Sequence, residues 1–140
     1  MLSPNPGEPA KPLRTIASSG EMSRIMLAIK STLASQDAVP LLVFDEIDAN
    51  VGGEFAQAVG GKMASLGNHH QVIAITHLPQ VASRANCHYF VNKEFGSDGR
   101  TYSLLRKIEN DDRIAEIARM LGGNTNSARK HAESLLDIAA

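Results

Sequence analysis

Two short apolar runs limit what this chain can become. LLVFD, residues 41–45, is of strand length and carries no polar alternation, the pattern of a strand covered on both faces, and QVIAITH, residues 71–77, is a second apolar, β-branched run. Between them, residues 53–66 have helical composition, with a Gly-Gly pair ahead and Gly67-Asn68 behind. Strand, helix, strand at this spacing predicts a βαβ unit, with parallel strands joined by a right-handed crossover. Parallel pairing brings the C-terminal ends of both strands to one sheet edge, where open α/β folds place their ligands.

The side chains due at that edge are unusual. The first run leads straight into Asp45 and Glu46, with Asp48 two residues on, and the second leads into Thr76 and His77. Carboxylates cost a great deal to desolvate unless a cation or a donor meets them. In nucleotide hydrolases an apolar strand ending in Asp-Glu has a mechanical meaning. The first carboxylate, Asp45, holds Mg2+ through its water shell, and the second, Glu46, orients and polarises an attacking water. Such a base contributes roughly 10²–10⁴-fold, about 3–5 kcal/mol of barrier. His77 would hydrogen-bond the terminal phosphate or position that water. The plainer reading, acids serving as turn or N-cap residues, accounts for either motif alone; their joint occurrence at βαβ spacing favours the chemistry.

A second cluster precedes the first strand. Ser18, Ser19, Gly20 and Glu21 open a segment in which Met22, Ile25, Met26, Ile29 and Leu33 recur with helical period. Ser18 and Glu21 form S-x-x-E, a capping box. The same N-terminus presents backbone N–H groups and hydroxyls suited to a phosphate, and the two uses are compatible. Downstream, LPQVASRA, residues 78–85, reads as a short helix, and HYFVNKEF and RTYSLLRKIE flank a GSDG turn as a hairpin. Residues 111–121 form a helix stopped by Gly122-Gly123, and residues 126–139 form a last amphipathic helix. Four of the six prolines fall in residues 1–14, an extended lead-in.

Composition excludes more than it selects. A net charge of −1 and 4% aromatics give no overall footprint for nucleic acid. Arg24, Lys30, Arg84, Arg100, Arg106 and Lys107 are scattered and read as solvated faces. No apolar run is long enough to span a membrane and no signal-peptide pattern is seen, so the expected location is the cytoplasm. The single cysteine, Cys87, reads as a small core residue at a strand start. His69, His70, Cys87 and His88 match no common zinc spacing, and His69-His70 reads as a wet loop. The methionines read as core packing. None of the six lysines stands in a G-x-x-x-x-G-K-[ST] phosphate loop. The chain therefore has a magnesium-and-water end with no phosphate cradle of its own.

Taken in order and spacing, ASSGEMSRIMLAIKS, LLVFDEIDANVGGE and VIAITHLPQVAS strongly resemble the C-terminal half of the ATPase head of the RecN family, bacterial DNA-repair proteins of the SMC-like, ABC-type ATPase group. The resemblance runs from about residue 3 to the final helix. It implies an α/β fold, the C-terminal lobe of a P-loop NTPase head, with residues 15–140 as one subdomain. It implies ATP and Mg2+ as ligands, with Asp45 for the metal and Glu46 and His77 as the catalytic pair. Ser18, Ser19, Gly20 and Glu21 match the signature that reaches the γ-phosphate on an opposite head. Asp48, Ala49, Asn50 and Gly52 match the D-loop at the interface between heads. The implied partners are the Walker A half of the same head, a second head in a homodimer and, for the parent protein, DNA. Met1 then marks a cloned fragment or a split reading frame, with the phosphate loop and a long coiled coil lying before it. The usual signature is S-G-G-E, whereas Ser19 stands here at the first glycine; a β-carbon there crowds the approach of a phosphate. Gly52 stands where many ABC proteins have the last D-loop Asp. The rival expectation is a non-enzymatic dimerisation or docking module with an ABC-like fold.

Overall fold

The computed structural model describes residues 3, 7, 9, 12, 17–36 and 38–137. The extended lead-in expected over residues 1–14 therefore lies almost wholly outside the described residues, as does the end of the last helix. The chain divides into two compact units, residues 1–78 and 79–140.

The first unit holds helix α1 (Ser19–Leu33), strand β1 (Leu41–Phe44), helix α2 (Gly53–Leu66) and strand β2 (Gln71–Ala74). β1 and β2 pair in parallel, with Leu41 opposite Gln71 and Phe44 opposite Ala74. Gln71 N–H donates to the Pro40 carbonyl and Ile75 N–H to the Phe44 carbonyl, each at 2.9 Å, which extends the ladder at both ends. The βαβ reading and the shared carboxyl edge are thus present. Leu42, Phe44, Ile47, Ala56, Val59, Met63 and Leu66 are buried. Burying side chains of the size of Leu or Phe is worth about 2 kcal/mol each.

Three expectations about burial are corrected. β1 is covered on one face only: Leu42 and Phe44 are buried, while Val43 is 60% exposed, beside Ile73 at 44% and Ile75 at 58%. In α1, the buried positions are Gly20 and Leu27, with half-buried Arg24 and Ser31 on the same side. The apolar stripe Met22–Ile25–Met26–Ile29–Leu33 occupies the opposite side, where Met22 and Ile25 are half-buried and Met26, Ile29 and Leu33 are exposed. Three and four residues separate neighbours on each face, so helical spacing was right and the identity of the covered face was not. His70, expected in a wet loop, is 6% exposed, its Nδ1 2.6 Å from the Val39 carbonyl oxygen.

The second unit contains a short helix α3 (Pro79–Ala82), hairpin strands β3 (His88–Phe95) and β4 (Thr101–Ile108), and helices α4 (Asn110–Met120) and α5 (Asn126–Asp137). The hairpin is antiparallel, from His88 opposite Ile108 to Phe95 opposite Thr101. Ala82, Ile117, Ala118, Ala132 and Leu135 form its core cluster. Gly122 and Gly123, at φ 112° and 135°, end α4 in a conformation that side chains resist. Cys87 is exposed, not packed in the core, because it precedes β3 outside this cluster. Arg113 Nη2 reaches back to the Ser83 and Ala85 carbonyls at 2.9 and 2.6 Å.

Two outcomes follow from this packing. Leu66→Ala removes a side chain that is 2% exposed and should cost about 3 kcal/mol in denaturant unfolding; Val43→Ser on the open face should cost far less. Burial, reinforced by the Arg113 charge and partly offset by Glu116, holds the His88 imidazole below its ordinary 6.5. The unfolded chain then binds the extra proton first, so stability is fullest above about 6.5 and falls as pH drops through it. His88→Gln should flatten that slope between pH 7.5 and 5.5.

Candidate functional site at the carboxyl edge of the parallel pair

The site begins at the N-terminus of α1. Ser18 is the N-cap: its hydroxyl accepts from Glu21 N–H at 3.3 Å, and Glu21 Oε2 accepts from Ser18 N–H at 2.9 Å. The capping box is complete, and loss of such a cap costs about 1 kcal/mol.

That N-terminus is docked on the turn following β1. Ser23 Oγ donates to the Asp45 carbonyl at 3.0 Å, and Arg24 Nη1 donates to the Ile47 and Ala49 carbonyls at 3.3 and 3.0 Å. Gly20 is buried between them. A β-carbon at residue 20 would lie 2.8 Å from the Glu46 carbonyl oxygen and 3.1 Å from Ala49 Cβ. Glu46 itself has φ 54° and Asn50 φ 58°, a left-handed conformation uncommon for residues with side chains. The chain thereby reverses sharply after β1. Asp45 and Glu46 both reach solvent, and Ser19 Oγ donates to Glu46 Oε2.

Asp48 faces the other way. Its carboxylate is 2% exposed and accepts from the Thr76 hydroxyl, from His77 N–H at 2.9 Å and from Leu78 N–H at 3.3 Å. His77 Nδ1 lies 3.3 Å from the same oxygen, while the ring as a whole is 72% exposed. Three donors on one buried carboxylate meet its desolvation cost. They also bind the turn after β1 to the end of β2, so that His77 leaves the sheet on the edge that carries Asp45 and Glu46.

The sequence-expected residues fall into distinct positions. Asp45, Glu46 and His77 share the edge, and Ser18, Ser19, Gly20 and Glu21 stand beside it. Of the segment expected to be a D-loop, Asn50 and Gly52 are exposed, Ala49 is half-buried and Asp48 is turned inward. Sequence reasoning missed Arg24, read as a solvated charge; its signal was its place on the helix face of Gly20, four residues on. It also missed Thr76 and the inward role of Asp48. The donor set suits a hard cation only in part. Asp45 is an exposed oxygen donor, but no cluster of three metal-ligating side chains exists among the described residues. Mg2+ there needs water and phosphate oxygens for the rest of its shell, which is how that ion is ordinarily held.

Asp48→Ala strands the backbone donors of His77 and Leu78. At about 1–3 kcal/mol per unsatisfied group, it should lower stability by about 3 kcal/mol and shift the amide resonances of residues 76–78. Asp48→Asn, which keeps an acceptor oxygen, should cost less.

No family model matches the chain. Among curated proteins it is 48% identical over 132 residues to the DNA repair protein RecN of Xylella fastidiosa (strain 9a5c), covering 94% of this chain and 24% of that protein. It is 46% identical over 142 residues to the RecN of Treponema pallidum, covering 100% and 25%. With the RecN of Bacillus subtilis it shares 44% over 141 residues, covering 99% and 24%. A solved structure from work on ATP-driven dimerization and DNA-stimulated activation of SMC ATPases matches with a TM-score of 0.56 and 19% identity, over 85% of this chain and 70% of that one. That likeness is one of fold. The chain spans about a quarter of the length of the RecN proteins that it matches, and over nearly all of its own length it is homologous to them.

Proposed function

We propose that this chain is the signature-and-water half of the ATP-hydrolysing head of a RecN-type DNA double-strand-break repair and recombination protein. The observation that carries the reading is the single edge of the parallel pair, where Asp45, Glu46 and His77 leave adjacent strands beside the capped N-terminus of α1. Glu46 orients the attacking water and takes its proton as ATP becomes ADP and phosphate. His77, its backbone held by Asp48, presents an exposed ring toward the terminal phosphate. Asp45 would hold Mg2+, which would supply charge neutralisation at the phosphates. Ser18, Ser19, Gly20 and Glu21 serve a nucleotide on an opposite head, and Asn50 and Gly52 lie at the interface between heads.

Completion by other segments is part of the reading. The open sheet face of Val43, Ile73 and Ile75 and the open stripe of α1 are apolar surface of the kind that another segment covers. We assign that cover to a Walker A half carrying the phosphate loop, pairing to a second head, and DNA engagement to the complete protein in the cytoplasm. Among the described residues no helix is long and apolar enough to cross a membrane. The rival reading, a docking module whose acids only cap turns, draws on the same open faces.

Reassembly separates the two. Co-expressed with a segment bearing the phosphate loop, the chain should recover ATP turnover. Glu46→Gln should then lower turnover at least about 10²-fold while ATP binding persists. The chain alone should turn over negligibly. Turnover near 1 s⁻¹ by the chain alone, an ordinary enzyme rate, or turnover indifferent to Glu46→Gln, would overturn the assignment.

A further inference from the structure

The four signature residues do not share one task. Ser18 and Glu21 are spent on each other in the capping box, and Gly20 is closed in by the Glu46 carbonyl and Ala49. Ser19 is the one whose side chain meets an acid of the carboxyl edge, through its hydrogen bond to Glu46 Oε2 in the same chain. Both residues are exposed, so the contact is open to a competing acceptor. The backbones on either side are fastened together by Ser23 on the Asp45 carbonyl and Arg24 on the Ile47 and Ala49 carbonyls. The two side chains are thus held within reach of each other, and only side-chain rotation can part them.

We propose that Ser19 is a positioning residue for Glu46. In the unpaired chain its hydroxyl holds the Glu46 carboxylate against the N-terminus of α1. When an opposite head brings up its nucleotide, the hydroxyl passes to a phosphate oxygen and Glu46 is released to the water. The reason is stoichiometric: a serine hydroxyl carries one proton and donates one hydrogen bond, so it cannot hold the carboxylate and a phosphate together. A glycine at this position, as in S-G-G-E chains, has no such hold. The inference rests on the ATPase reading above and adds a gate to it.

The test has two arms. In the 140-residue chain, a double-mutant cycle of Ser19→Ala and Glu46→Ala should show coupling of about fivefold in the unfolding constant, and Ser19→Thr should retain it. In the reassembled head, Glu46→Ala frees the Ser19 hydroxyl while leaving it as a phosphate donor, so it should tighten ATP binding about fivefold more in the Ser19 parent than in Ser19→Gly, where there is no hold to break. Ser19→Thr should track the parent residue. A purely structural role would not make the effect of Glu46→Ala on ATP binding depend on the residue at position 19. Absence of coupling in the cycle, or a Glu46→Ala effect on ATP binding that is the same in Ser19→Thr and Ser19→Gly, overturns the gate and leaves the ATPase reading standing. A reassembled head with no turnover at all overturns both, and does so at the ATPase reading.

Discussion

The docking of the α1 N-terminus on the turn after β1 is the contact on which the site depends. It is built almost entirely from side chains of one helix face donating to backbone carbonyls. Ser23 meets Asp45, Arg24 meets Ile47 and Ala49, and the missing side chain of Gly20 lets the helix come down on the Glu46 carbonyl. Individually such bonds contribute about 1 kcal/mol. Their larger effect is geometric, since the acids cannot move without the N-terminus of α1. A guanidinium shared between two carbonyls also satisfies acceptors that the sharp, left-handed turn leaves outside any ladder.

From that turn the constraint passes to the second strand through one buried carboxylate. Asp48 gathers donors from residues 76–78 and so joins segments that stand some thirty residues apart in sequence. The parallel ladder alone would bring the strand ends to one edge, but it would leave the direction of each exit free. Three backbone segments, at 18–24, 45–50 and 76–78, thus behave as one body around a solvent-facing edge. Chemistry that needs an acid, an imidazole and a helix N-terminus held in fixed relation is served by such an arrangement.

Much of this was legible in the sequence, and the reasons differ by feature. The βαβ unit could be read because two apolar runs of strand length bracket one helical segment. The capping box and the Gly122-Gly123 stop could be read because each is a local rule, complete within a few residues. What could not be read was which side of α1 the chain covers. The stripe of Met22, Ile25, Met26, Ile29 and Leu33 is more apolar than the face of Gly20, Arg24, Leu27 and Ser31, yet it is the latter that is covered. Hydrophobic period reports the packing a helix is made for, whether or not the chain at hand supplies all of it. Arg24 and Asp48 were misjudged for a related reason. Charged residues are ordinarily solvated, and nothing local marks the few that turn inward to meet backbone groups distant in sequence. Cys87 erred in the opposite direction, a small apolar side chain left outside the cluster of the second unit.

Gly20 carries one more consequence. Its bare α-carbon is demanded by a carbonyl oxygen that a methyl group would overlap, so the shape of the polypeptide already enforces glycine there with no nucleotide present. Variation in this segment is therefore limited by steric fit at residue 20, whereas the adjoining Ser19, open to solvent, meets no such limit.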